Sequence, residues 1–223
     1  MVEERLRAEI KSTVVFVKGS GPSHEIPDKT DIISFMGTLI LVESEFCYVV
    51  VDRDMARNGF NYKATLPDGS LVLLSYDQFI VKEEGRLAAF YIHHNYNANR
   101  LNAVQFEEQA VWRFDDVRVA DFDESQDIFF PGARVNDVDA EDRFFMFDWH
   151  TENIGAPVFN EAGALVGLCY ESPLDPSYAY TVSAIKMNLL ALSDVPVQTI
   201  EEFLHQVRLT GSQMGRAEPD VTG

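Results

Sequence analysis

Short apolar runs recur along most of the chain, each closing at residues that favour turns, and this cadence restricts the fold more than any other feature of the sequence. A β-branched run occupies 12–17 and is followed by a polar stretch, 19–30, that reads as a loop. Runs at 36–42 and 46–51 flank Glu43, Ser44 and Glu45, which suits a hairpin. Leu66-Pro67-Asp68-Gly69-Ser70 sets Pro, Asp and Gly in turn order between runs at 62–65 and 71–74. Further strands are expected at 87–92, 103–106, 117–119, 144–148, 157–159, 165–170 and 179–182. Strands this short, spaced by turns, favour a barrel or sandwich over alternating β/α units. The fold class is therefore mainly β. Helices are expected at 5–10, 184–191 and 199–209; in the last, Ile200, Phe203, Leu204 and Val207 share one face. Residues 210–223 offer little to bury and are expected to form a flexible tail.

At 223 residues the chain is long enough for one double-barrel domain. No apolar run approaches the roughly 20 residues that cross a bilayer. The opening residues alternate charge with apolar side chains and lack a secretory core, so an intracellular location, cytoplasmic or nuclear, is expected. The only two cysteines, Cys47 and Cys169, stand inside apolar runs and read as buried thiols. With 36 acidic against 18 basic residues the formal charge is −18. Such a surface repels phosphate backbones and anionic membranes, so neither nucleic acid nor membrane is expected as a partner. Basic segments of a protein partner suit it better. Much of the acid falls within 107–148 and reads as solvated surface. Residues 121–127 carry oxygen ligands at the spacing of a calcium loop, but Gln126 and Gly132 replace its turn glycine and bidentate Glu. His93 and His94 would face opposite sides of a strand. No metal or cofactor is expected.

The segment from Asn153 through Ile154, Gly155, Ala156 and Pro157 to Val166 and Gly167 carries a family signal. It resembles the nucleophile segment of trypsin-like serine proteases, especially the HtrA/DegP-like branch, where the order is Gly-x-Ser-Gly-Gly/Ala-Pro, a hairpin and a strand ending Val-Gly. In that register Ile154 stands at the nucleophilic Ser, and Glu152 replaces the Gly whose backbone N–H helps form the oxyanion hole. Upstream, Tyr48-Val49-Val50-Val51-Asp52-Arg53-Asp54-Met55 resembles the family's Tyr-Val-Val-Thr-x-x-His-Val and sets Asp54 at the catalytic His. Arg86-Leu87-Ala88-Ala89 resembles Asp-Leu-Ala-Leu and sets Arg86 at the catalytic Asp. The resemblance covers residues 12–195 and implies a trypsin-like double β-barrel, with an amino-terminal barrel over about 12–100 and a carboxy-terminal barrel over about 101–195. A helical segment, 196–209, would pack outside.

Acyl transfer on this template needs an oxygen nucleophile, an imidazole to take and return its proton, and a carboxylate to orient the imidazole. Isoleucine supplies no nucleophile, and arginine stays protonated near neutral pH. The resemblance thus implies a pseudoprotease, not an enzyme, that binds or scaffolds a protein or extended peptide in the inter-barrel cleft. Two other readings stand beside it: a hydrolase with rearranged residues around His150 and a nearby Ser or Cys, and a structural subunit that self-associates as a homo-oligomer. Trp149, His150 and Cys169 are candidate cleft residues. The degenerate loop of Glu152, Asn153, Gly155, Ala156 and Pro157 is expected to keep its tight turn, with Ile154 buried against Trp149 or Cys169. Asp54 and Arg86 are expected to form an ion pair.

Overall fold

The computed structural model describes residues 2–23, 26, 28–83, 85–93, 100–123, 127–151, 153–170 and 177–214. Helix α1 (Val2–Lys11) leads into β1 (Val14–Pro22), which pairs antiparallel with β2 (Thr30–Val42) all the way from Val14↔Thr38 to Pro22↔Thr30. Residues 19–22 and 30 of the stretch read as a loop at 19–30 are therefore strand. The glycines here serve close packing: a Cβ on Gly21 would lie 2.2 Å from the Phe60 ring, and one on Gly19 would lie 2.8 Å from the Tyr62 ring. Strands β3 (Phe46–Asp52), β4 (Asn61–Thr65), β5 (Leu71–Ser75), β6 (Phe79–Val81) and β7 (Leu87–His93) complete a seven-stranded sheet in the order β5-β4-β1-β2-β3-β7-β6. The Pro-Asp-Gly turn forms as expected. The Gly69 N–H donates to the Leu66 carbonyl at 2.9 Å, with Gly69 at φ +88.

Eight strands follow: β8 (Asp116–Val119), β9 (Asp121–Phe122), β10 (Ile128–Phe129), β11 (Gly132–Val138), β12 (Phe144–Phe147), β13 (Pro157–Phe159), β14 (Leu165–Tyr170) and β15 (Ser177–Thr181). Six of them close a barrel in the order β11-β12-β15-β14-β13-β8, while β9 and β10 form a small ribbon. The sequence hides β11 because only Ala133 and Val135 of its seven residues are buried. The expected strand at 103–106 is instead an extended connection, touching the barrel through a parallel bridge from Phe106 to Leu165.

Helix α2 (Val182–Ala191) starts at a Thr181 cap whose side-chain oxygen accepts the Ala184 N–H. Helix α3 (Ile200–Met214) runs past the expected end at 209, taking residues 210–214 from the expected tail. Gly211 permits this, since a Cβ there would lie 2.5 Å from the Phe46 ring. Residues 215–223 lie outside the described residues. Every residue of β3 is buried. Phe46, Tyr48 and Val50 face the larger cluster, shared with the carboxy-terminal barrel and α3, while Cys47, Val49 and Val51 face the amino-terminal cluster. A strand buried on both faces explains why its sequence shows no polar alternation. Its last residue, Asp52, opens the cleft between the two units.

Candidate binding cleft between the barrels

The turn at Asn153 to Ala156 is tight, as expected: the Ala156 N–H donates to the Asn153 carbonyl at 3.2 Å. It is pinned on both sides. The Gly155 N–H donates to the Cys169 carbonyl at 2.9 Å, and the Cys169 N–H donates to the Ala156 carbonyl at 2.8 Å. Across the cleft, the Met36 N–H of β2 donates to the Ile154 carbonyl at 3.4 Å. Gly155 has φ +78, and a Cβ there would sit 2.6 Å from the Met36 carbonyl oxygen and 3.6 Å from the Asp52 nitrogen. Only glycine meets both demands. Ile154 is half-buried and packs against the amino-terminal cluster, whereas Trp149 and Cys169 belong with the carboxy-terminal one. The expected packing against Trp149 or Cys169 is thus replaced by packing across the cleft. Glu152 lies outside the described residues.

Asp121, expected on a solvated acidic surface, is 5% exposed. Its carboxylate accepts the Trp149 indole N–H at 3.1 Å, the Phe122 backbone N–H at 2.9 Å and the Asn153 side-chain amide. These bonds hold the turn from behind. Asn160 shapes the following hairpin, its side-chain oxygen accepting the Ala162 and Ala164 N–H groups.

Asp54 and Arg86 lie at the same end of neighbouring strands, because Asp52 pairs with Leu87 and the Arg53 N–H donates to the Arg86 carbonyl at 2.9 Å. Their side chains do not form the expected ion pair. The Asp54 carboxylate is 3.7 Å from the Arg53 guanidinium and largely exposed. A 3-10 turn at Arg53–Met55 causes this, because it lifts Asp54 out of the strand register towards solvent. Arg86, itself exposed, lines the cleft, and its charge is felt by Asp52, Tyr170 and Tyr180. Its backbone N–H donates to the Asn188 side-chain oxygen of α2 at 2.7 Å.

Asp52, which the sequence reading passed over, is the buried acid here. It caps the 3-10 turn, its Oδ1 accepting the Asp54 N–H at 2.9 Å. Burial pushes its carboxyl up to about 6. The Asp54 hydrogen bond and the Arg86 and Arg53 charges pull it down, and the Asp54 charge adds to the rise. Around Asp52, Asp54 and Arg86 opens a cavity of about 450 Å³, walled by Phe144, Tyr170 and Tyr180 and closed by α2 at Ala184, Met187 and Asn188. The Tyr170 and Tyr180 rings stack at 4.3 Å with a 20° interplanar angle. None of Ile154, Trp149, His150 and Cys169 lines this cavity. The sequence offered one hint to it, an acid closing an otherwise apolar strand.

Both thiols are buried, and burial pushes Cys47 up to about 12 and Cys169 well above the ordinary thiol range. No group of three or more His, Cys, Asp or Glu side chains suited to a metal occurs among the described residues. No helix among them is long and apolar enough to cross a membrane.

No protein-family model matches the chain, and no curated protein matches it in sequence. Solved structures do. Rv3671c from M. tuberculosis H37Rv, in the inactive form of a serine-to-alanine mutant, superposes with TM-score 0.63 at 12% identity, over 87% of this chain and 94% of that one. The active form of the Rv3671c protease gives TM-score 0.61 at 15% identity, over 88% of each chain. The HtrA-type protease AlgW, solved with a decapeptide, gives 0.63 at 13% identity, over 82% of this chain and 64% of that one. At these identities the likeness shows the fold, a trypsin-like double barrel with a carboxy-terminal helix.

Proposed function

We propose that this trypsin-fold chain is a pseudoprotease that binds a protein or an extended peptide in the cleft between its barrels. The observation that supports the reading is that Asp52, Asp54 and Arg86 line one cavity while the Ile154 turn approaches the end of β3, a Cβ on Gly155 lying 3.6 Å from the Asp52 nitrogen. There the fold would hold an imidazole, a carboxylate and a hydroxyl, and Asp54, Arg86 and Ile154 supply none of the chemistry of acyl transfer. On this reading the turn keeps a scaffold that no longer carries a nucleophile; its support is the positive φ of Gly155 and the bonds that pin the turn to β2 and β14. A groove between barrels can hold extended backbone by strand addition with no triad at all.

Rearranged hydrolysis through a cysteine gains no support from the thiols, whose burial disfavours the thiolate that a nucleophile requires. Selection of random peptides displayed on phage tests the binding reading. Enriched peptides should lose at least about tenfold in affinity on Ile154→Arg, a shift of about 1.4 kcal/mol, because a long charged side chain at this half-exposed position obstructs the groove floor. A selection that enriches nothing, or peptides indifferent to that change in a folded variant, would refute it.

A further inference from the structure

We infer that the cavity beside the degenerate site is a receptor for a carboxylate carried on a flat, apolar body, with Arg86 as its anchor and the Tyr170–Tyr180 stack as its wall. Its volume of about 450 Å³ falls in the range of roughly 300–1,000 Å³ typical of small-ligand sites. The charges in and around it are unequally committed. Arg143, on the rim, is held by Asp139 at 2.9 Å and Glu141 at 3.3 Å. Asp54 faces Arg53, and Asp52 already accepts a backbone N–H. Of the cations Arg53, Arg86 and Arg143, Arg86 has no ion-pair carboxylate within 4.0 Å among the described residues, its charge acting on Asp52 only at longer range, although the chain carries twice as many acids as bases.

Arg86 is exposed where it lines the cavity, and a guanidinium open to a ligand meets a planar carboxylate through two parallel hydrogen bonds, which fixes both charge and orientation. Beside it, Tyr170 and Tyr180 stack at 4.3 Å, and Phe144 stands edge-on to Tyr170 at 6.5 Å. Such a wall favours an aromatic or broad apolar group over a phosphate. Two ligands share this chemistry, a free aromatic acid and the carboxy-terminal residue of a peptide. The receptor rests on the cleft-binding reading above and specifies what one end of the cleft recognises.

Calorimetry on the full chain tests it with three probes: N-acetyl-phenylalanine, its amide, and a glycine pentamer extended by a carboxy-terminal phenylalanine. The acid should bind at least tenfold more tightly than the amide. Arg86→Gln should remove that tenfold preference without lowering the melting temperature, and Arg86→Lys should restore only part of it. Tighter binding of the peptide than of the single residue assigns the site to peptide carboxy termini, and equal or weaker binding assigns it to free acids. Equal affinity for acid and amide, or an unchanged preference in Arg86→Gln, overturns the receptor. Peptides selected on phage have no free carboxy terminus. If they bind while the acids do not, the receptor falls and the groove reading stands.

Discussion

Asp52 closes a strand buried on both faces, and its carboxyl is raised from 3.8 to about 6 mainly by that burial. Between about pH 4 and pH 6 the folded chain keeps a proton that the unfolded chain has released. The folded state therefore gains from this group fully below pH 4 and loses the gain as pH rises through 6, a difference on the order of 3 kcal/mol. Asp52→Asn keeps an oxygen to accept the Asp54 N–H and carries no charge. It should raise the melting temperature at pH 7.5 by about 6–12 °C and leave it nearly unchanged at pH 4; a lower melting temperature at pH 7.5 would mean that the carboxylate is favourably paired. Gly155→Ala forces a side chain into a left-handed backbone and against the Met36 carbonyl. A loss of at least about 2 kcal/mol in urea unfolding is expected. At this scale the sequence shows residue types but not their surroundings. Ile154 and the glycine turn were legible because the motif fixes local backbone. The Asp54–Arg86 pairing failed because a 3-10 turn of three residues redirects one side chain. Nothing in the acidic run around Asp121 distinguishes Asp121 as a carboxylate that the fold buries.

Strands that alternate apolar and polar residues, or that are apolar throughout, were readable one by one, and the Pro-Asp-Gly hairpin fixed the β4–β5 register. Elements went unread where the pattern served something other than burial. The Gly-Ser-Gly extension of β1 admits aromatic rings, β11 buries two side chains only, and the end of α3 depends on a glycine fitting the Phe46 ring. Helix α3 covers the outer face of β3. Phe203 is fully buried and meets Tyr48 edge-on at 6.0 Å, and the Tyr91 hydroxyl donates to the Val207 carbonyl at 3.2 Å. The helix is thus part of the core rather than an appendage. Phe203→Ala should cost about 3–5 kcal/mol, read as a lower urea midpoint. A cost under about 1 kcal/mol would show that α3 docks loosely.

The two units meet through backbone contacts of β2 and the Ile154 turn and through α2 against β7 and β14, so the cleft is built by elements distant in sequence. Its existence could be expected from the resemblance to trypsin-like proteases. Its aromatic cavity could not, because Tyr170 and Tyr180 stack only once β14 and β15 pair. For the molecule as a whole the proposal to be tested is that a trypsin fold read with Asp54, Arg86 and Ile154 at the triad positions catalyses nothing. The direct measurement is hydrolysis of fluorescently labelled casein by the purified chain, its Ile154→Ser variant and a double-barrel protease control, with fluorophosphonate labelling alongside. The account predicts no turnover above buffer and no labelling of the wild type, and none restored by Ile154→Ser, since the proposed register sets Asp54 rather than a histidine at the position of the base. Turnover by the wild-type chain that survives purification and disappears on a single substitution within the cleft would contradict it.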